Sequence, residues 1–61
     1  MKVKDLIKIL ELDGWFQVRM RGSHCQYHHP TKSGTVPVSG KPSVDLPPAT
    51  LNSALKQAGL K

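Results

Sequence analysis

The sequence has little cysteine, few acidic residues and few aromatic side chains. Its one cysteine, Cys25, excludes an internal disulfide and the multi-thiolate zinc sites of small metal-stabilised domains. We therefore expect a chain that works in a reducing cytoplasm. Charged residues at Asp5, Lys8 and Glu11 interrupt the first segment, so the sequence predicts neither a signal peptide nor a membrane span.

The 61 residues predict one domain, residues 1–61, because so short a chain buries too little surface to divide between two cores. Nine Lys and Arg residues outnumber four Asp and Glu residues, which gives a formal charge of +5. A field of this sign attracts polyanions. Nucleic acid is therefore the first partner to consider and an acidic protein the second, although many small domains carry such charge only for solubility.

Two segments have apolar residues at helical spacing. The first places them at i, i+3, i+4 and i+7, in Val3, Leu6, Ile7 and Leu10. Gly14 is positioned to end this helix. The second helix is predicted to begin near Pro48 and to use Leu51, Ala54, Leu55 and Ala58. Gly59 and Leu60 resemble the C-terminal cap of that helix.

Between the helices the period changes to two, which indicates strands. From Trp15 to Arg21, apolar Phe16, Val18 and Met20 alternate with Gln17, Arg19 and Arg21. A short third strand is expected near Thr35 to Val38, at an edge because Pro37 cannot donate a ladder hydrogen bond. The sequence thus predicts an α+β domain of order α-β-β-β-α, with two helices packed on one face of a three-stranded antiparallel sheet.

A two-residue turn at Gly22-Ser23 would join the first two strands, with glycine where the backbone needs positive φ. The register that follows pairs Arg21 with His24, Met20 with Cys25, Arg19 with Gln26, Val18 with Tyr27 and Gln17 with His28. Apolar side chains then face the helices: Phe16, Val18, Met20, Cys25 and Tyr27. The opposite face carries what we call the basic patch: Arg19, Arg21, His24, Gln26 and His28.

The basic patch has the groups that RNA cleavage requires. Arginines bind phosphates through paired hydrogen bonds, and an imidazole can take or give a proton near neutrality. RNA supplies its own nucleophile, the 2′-hydroxyl, so we predict His24 as the general acid/base of a modest ribonuclease, without metal or other cofactor. An exposed histidine and two arginines are also what an ordinary solvated strand would show.

Other arrangements of these residues fit the pattern less well. His24 and Cys25 point to opposite faces of the predicted strand, which disfavours a shared metal ion. Cys25 is expected to pack in the core, where a thiol is inert. Trp15 and Phe16 could stack on bases, but core anchoring is the favoured interpretation for both. His29 is interpreted as the end of a strand.

The order of short motifs resembles the HicA toxins along nearly the whole chain. The matching pieces are Gly14-Trp15, Arg21-Gly22-Ser23-His24, Tyr27, His29-Pro30, Val36-Pro37, Thr50-Leu51 and residues 55–60. Ser39 stands where many members have a histidine or basic residue, and Cys25 where a polar or basic residue is common.

The resemblance implies a fold like that of the double-stranded RNA-binding domain and metal-independent cleavage of mRNA by the histidine of the Gly-Ser-His motif, here His24. Gly22 would be the turn residue that presents it, with Ser23 beside it, and both join Arg19, Arg21, Gln26 and His28 as expected RNA contacts. A HicB-like antitoxin would be the partner, in a toxin–antitoxin hetero-oligomer that blocks access of RNA.

Two other functions remain open at the level of sequence. A non-catalytic RNA-binding module could use the same patch for shape recognition of duplex RNA. It would bind RNA with a steep salt dependence but leave the RNA intact. A protein-binding adaptor would show no affinity for RNA even at low salt.

Overall fold

The computed structural model describes all of residues 1–61. Its elements are helix α1 (Val3–Asp13), strands β1 (Phe16–Arg21), β2 (His24–His28) and β3 (Val36–Ser39), and helix α2 (Pro48–Gln57). The strands form one antiparallel sheet in the order β1-β2-β3. The predicted α+β order is confirmed, as is the edge position of β3. Neither helix is long and apolar enough to cross a membrane.

Helix α1 buries the predicted stripe of Val3, Leu6 and Leu10. Gly14 ends the helix in the left-handed region, at φ 108°, and its N–H donates to the Glu11 carbonyl. A Cβ at this glycine would lie 2.9 Å from His29 Nε2. Both the backbone conformation and the close approach of the imidazole therefore require glycine here.

Helix α2 begins at Pro48, as predicted, and buries Ala54. Its last turn closes when the Gly59 N–H donates to Lys56 O and the Leu60 N–H donates to Leu55 O, over 3.1 and 2.9 Å. These bonds confirm the expected C-terminal cap and satisfy carbonyls that the helix leaves unpaired.

The core lies between the helices and strands β2 and β3, and both helices pack against β3. It comprises Val3, Leu6, Leu10, Trp15, Tyr27, Val36, Val38, Ala54 and Ala58. Strand β1 contributes no residue to this core, and all six of its residues are exposed. Phe16, Val18 and Met20, which were predicted to face the helices, are 48%, 45% and 60% exposed. The prediction was wrong for Phe16, which lies opposite His28 on the other face. Met20 lies on the helix side as predicted, opposite Cys25, but it is not buried.

The predicted register is confirmed near the turn and wrong beyond it. Arg21 pairs with His24, Met20 with Cys25 and Arg19 with Gln26, as expected. The register then shifts between Gln17 and Arg19, so that Gln17 rather than Val18 lies opposite Tyr27. An extra residue in an edge strand exchanges the faces of the residues before it. Phe16, not Gln17, consequently lies opposite His28.

Candidate nucleic-acid interface

The sheet face away from the core, which we call the open face, carries its side chains in rows. One row runs from Arg21 through His24 to Ser39. The next row comprises Arg19, Gln26 and Pro37. Residues directly opposite each other on antiparallel strands have Cβ atoms about 5 Å apart, so each row brings its groups within reach of one ligand.

Four residues of the basic patch, Arg19, Arg21, His24 and Gln26, line one depression of about 200 Å³, which we call the basic depression. All four are exposed. This volume is below the range of about 300–1,000 Å³ that is usual for small-molecule sites. A single tetrahedral anion such as a phosphate diester suits so small and basic a depression better than a whole metabolite.

The turn before His24 has the predicted geometry. Gly22, the first central residue of the turn, has φ 61°, and Ser23, the second, has negative φ. A positive φ followed by a negative φ is typical of a type II′ turn. The Gly40 N–H donates to the Ser23 carbonyl over 3.0 Å and ties the turn to the end of β3. His24 is thus the first residue of a strand that is held on both sides.

Three candidate RNA contacts lie outside the basic depression. Gly22 and Ser23 line a different groove, on the helix side of β1, together with Met20 and Cys25. His28 lies on the open face near the far end of β2, and its Nε2 is within 3.0 Å of Thr35 Oγ1. The structure therefore brings His24 together with Arg19, Arg21 and Gln26, and leaves Gly22, Ser23 and His28 at the margins.

His29 has a structural position that the sequence did not indicate. Its Nε2 lies 2.7 Å from the Asp13 carbonyl oxygen and donates to it, while its Nδ1 accepts the backbone N–H groups of Thr31 and Lys32. His29 directly follows the last residue of β2, as the interpretation of it as a strand end expected, and its ring in addition connects the end of α1 to the turn after β2.

Asp13 completes this connection. Its carboxylate accepts hydrogen bonds from Lys32 Nζ at 2.6 Å and from Trp15 Nε1 at 3.2 Å. The hydrogen bond from Lys32 holds the pKa of Asp13 below its ordinary value of 3.8, against an opposing effect of desolvation. On the helix side of the sheet, burial raises the pKa of Tyr27 above 10.0, which keeps this phenol neutral. Neither group faces the basic depression.

Sequence reasoning also missed two features near the basic patch. Phe16, assigned to the core, is half-exposed and lies opposite His28 on the face that carries the basic patch. Of the two aromatic residues assigned to the core, only Trp15 is buried there, with 2% of its surface exposed. The second feature is a groove between β3 and α2 that includes His24 in its lining. No local sequence pattern places α2 beside His24.

Residues 3–60 match the model of a protein family described as the HicA toxin of bacterial toxin–antitoxin systems. The chain belongs to the HicA toxin family. No curated protein matches the chain. The match confirms the resemblance read from the short motifs and agrees with the observed order of two helices and three strands. The HicA chain therefore has the role of a toxin in a toxin–antitoxin pair.

Proposed function

We propose that this HicA toxin is a metal-independent endoribonuclease that cleaves mRNA in the basic depression, with His24 as its general acid/base. The observation that carries the proposal is the row Arg21–His24–Ser39 beside the row of Arg19. It sets one exposed imidazole beside two guanidinium groups, with Arg21 directly opposite His24 and Arg19 in the neighbouring row. The ring of His24 has no hydrogen-bond partner within the chain and is therefore free to act on a ligand. The rings of His28 and His29, in contrast, are hydrogen-bonded.

The reaction uses the 2′-hydroxyl of RNA as the nucleophile. His24 takes its proton, a bond forms from the 2′-oxygen to phosphorus, and the bond from phosphorus to the 5′-oxygen breaks. The products are a 2′,3′-cyclic phosphate and a 5′-hydroxyl. Arg19 and Arg21 bind the non-bridging oxygens and stabilise the charge that develops on them.

The leaving 5′-oxygen must take up a proton. The basic depression contains one imidazole and no carboxyl group, so this proton comes from solvent or from the imidazolium that His24 has become. Positioned proton transfer contributes about 10²- to 10⁴-fold to a rate. An enzyme with a single such group is slow, which suits a toxin that damages messages and does not digest them.

A HicB-like antitoxin is the proposed partner, and it covers the basic patch. The formal charge of +5 favours an acidic surface on that partner. Binding would also stabilise a chain whose core contains only nine buried residues. If this partner is correct, the purified pair neither binds nor cleaves RNA, and RNA competes with the antitoxin for the free toxin.

The reaction class is tested with the purified chain and a defined mRNA, with and without a chelator. We expect equal cleavage in both samples, cyclic phosphate and 5′-hydroxyl ends, and no cleavage where a 2′-deoxynucleotide replaces the ribonucleotide at the cut. Loss of cleavage in the chelator would contradict the metal-free reaction. RNA that is bound but remains intact from pH 5 to 9 would instead identify a non-catalytic RNA-binding module.

A further inference from the structure

The groove between β3 and α2, which we call the α2 groove, has a volume of about 460 Å³. This lies within the usual range of about 300–1,000 Å³ for sites that bind small organic groups. His24 lines both the α2 groove and the basic depression. The two cavities are therefore neighbours, with the imidazole between them.

The lining of the α2 groove combines apolar and polar groups. Leu6, Leu46 and Ala54 supply apolar surface, and Pro37 and Ser39 approach from β3. Polar side chains come from α2, at Thr50, Ser53 and Gln57. Their spacing of three and four residues puts all three on one side of the helix.

The polar groups of the groove have no evident role in holding the fold together. Thr50, Ser53 and Gln57 are exposed, whereas α2 packs into the core through Ala54 and Ala58. By contrast, the side chain of Asn52 on α2 does form a hydrogen bond within the chain. It accepts from Lys61 Nζ, on a side of α2 that does not line the groove. The hydroxyl and amide groups of the groove are thus available to a ligand, and the Gln57 amide can both donate and accept.

We propose that the α2 groove binds the base of the nucleotide next to the scissile phosphate and so determines where the toxin cuts. This inference rests on the proposed ribonuclease function. A nucleotide with its phosphate in the basic depression has its base on one side of His24 or the other, and the α2 groove adjoins His24. A planar base needs apolar surface for its ring and hydrogen-bonding groups for its edge, which are the two kinds of group in this lining.

The proposal makes the substrate single-stranded at the cut. A base can enter a groove on a protein surface only when it is unpaired, because a duplex keeps its bases stacked inside the helix. We therefore expect the toxin to cut an unpaired segment faster than the same sequence held in a duplex.

The first test fills the groove. Ser53→Phe introduces a large side chain among the lining residues, and Asn52→Phe places the same side chain on another side of α2. We expect Ser53→Phe to cleave a mapped site at least about tenfold more slowly, since a stacked base contributes a factor of this order. Asn52→Phe should cleave at the wild-type rate. Equal rates for wild type and both variants would overturn the proposal.

The second test removes the base and not the groove. Wild type should cleave an oligonucleotide at least about tenfold more slowly when an abasic ribonucleotide, which keeps its 2′-hydroxyl, replaces the nucleotide on either the 5′ or the 3′ side of the cut, whichever base the groove holds. Ser53→Phe should cleave intact and abasic oligonucleotides equally. Wild type that loses nothing with either abasic nucleotide would contradict the proposal.

The third test concerns selectivity. Gln57→Ala removes the amide from the groove, and Asn52→Ala is the matched amide loss outside it. Across a library of sites, Gln57→Ala should change the base preferred next to the cut, and Asn52→Ala should leave it unchanged. If wild type cleaves RNA but Gln57→Ala and Ser53→Phe cut the same sites at the same rates, the groove proposal fails alone. If wild type does not cleave RNA, the proposed function fails with it.

Discussion

Ser39 on β3 lies directly opposite His24 on β2, on the open face of the sheet. Its hydroxyl occupies the position from which a second ionisable group could reach the same phosphate as His24. The chain has only the imidazole of His24 in this row, beside the guanidinium of Arg21. Because Ser39 offers no second ionisable group beside His24, we expect the proposed reaction to be slow.

Replacing Ser39 with histidine should make the enzyme faster. Ser39→His places a second imidazole about 5 Å from the first, measured between Cβ atoms, so that one ring can take a proton while the other gives one. We expect the single-turnover rate of RNA cleavage to rise about tenfold or more, within the range for positioned proton transfer. Ser39→Asn is the control without a titratable group, and an equal gain in that variant would contradict this explanation.

Phe16 is predicted to contribute to RNA binding. It lies opposite His28 with 48% of its surface exposed, beside the basic patch, where an aromatic ring can stack on a base. Stacking of this kind contributes about 1–3 kcal/mol per base. Phe16→Ala should therefore weaken binding of single-stranded RNA by about fivefold or more, as measured by fluorescence anisotropy with a non-cleavable 2′-deoxy-substituted oligonucleotide.

Met20→Ala provides the matched control for Phe16. Met20 is on the same strand and is 60% exposed, but it lies opposite Cys25 on the helix side of the sheet. Loss of its side chain should leave RNA affinity unchanged. An equal loss of affinity in both variants would indicate damage to β1 and not the loss of a stacking contact.

The position of Phe16 shows where sequence periodicity stops being informative. Alternation along β1 was correct from Arg19 to Arg21 because the Gly22-Ser23 turn fixes that register. Beyond Val18 it failed, because a strand without a helix above it gains little by keeping its apolar residues on one face. The helices and the order of strands could be predicted, since burial in the core enforces those patterns.

His29 and His24 should separate stability from activity. The His29 side chain is only 8% exposed and bonds to Asp13 and to the turn at Thr31, so His29→Ala removes a buried ring and leaves the Asp13 carbonyl and the Thr31 N–H without this partner. We expect a loss of about 2–3 kcal/mol in the free energy of unfolding. His24→Ala, at an exposed position, should change it by less than about 0.5 kcal/mol. Urea denaturation measures both.

The sequence could not have distinguished these two histidines by residue type. Each is an imidazole in or next to β2, and only the end of α1, which is distant in sequence, gives His29 its partner. The α2 groove has the same origin, because it forms where Ser53 and Gln57 of the last helix come beside His24. Sites built from segments far apart in the chain are not visible to a local pattern.

Asp13 should make the fold sensitive to acid. Its pKa in the folded chain is below 3.8, so its contribution to stability is present above about pH 4 and is lost as the pH falls through the folded value. Asp13→Asn cannot titrate and should lose less stability over that interval. Melting temperatures between pH 2.5 and 6 test this, and parallel profiles for the two proteins would contradict it.

The central claim is that the imidazole of His24 transfers a proton during RNA cleavage. The measurement is the single-turnover rate constant of wild type, His24→Ala and His28→Ala on one RNA oligonucleotide at saturating protein. We predict that His24→Ala is slower by at least about 100-fold, with an RNA affinity within about threefold of wild type, and that His28→Ala cleaves at nearly the wild-type rate. A His24→Ala protein that cleaves as fast as wild type would contradict the account.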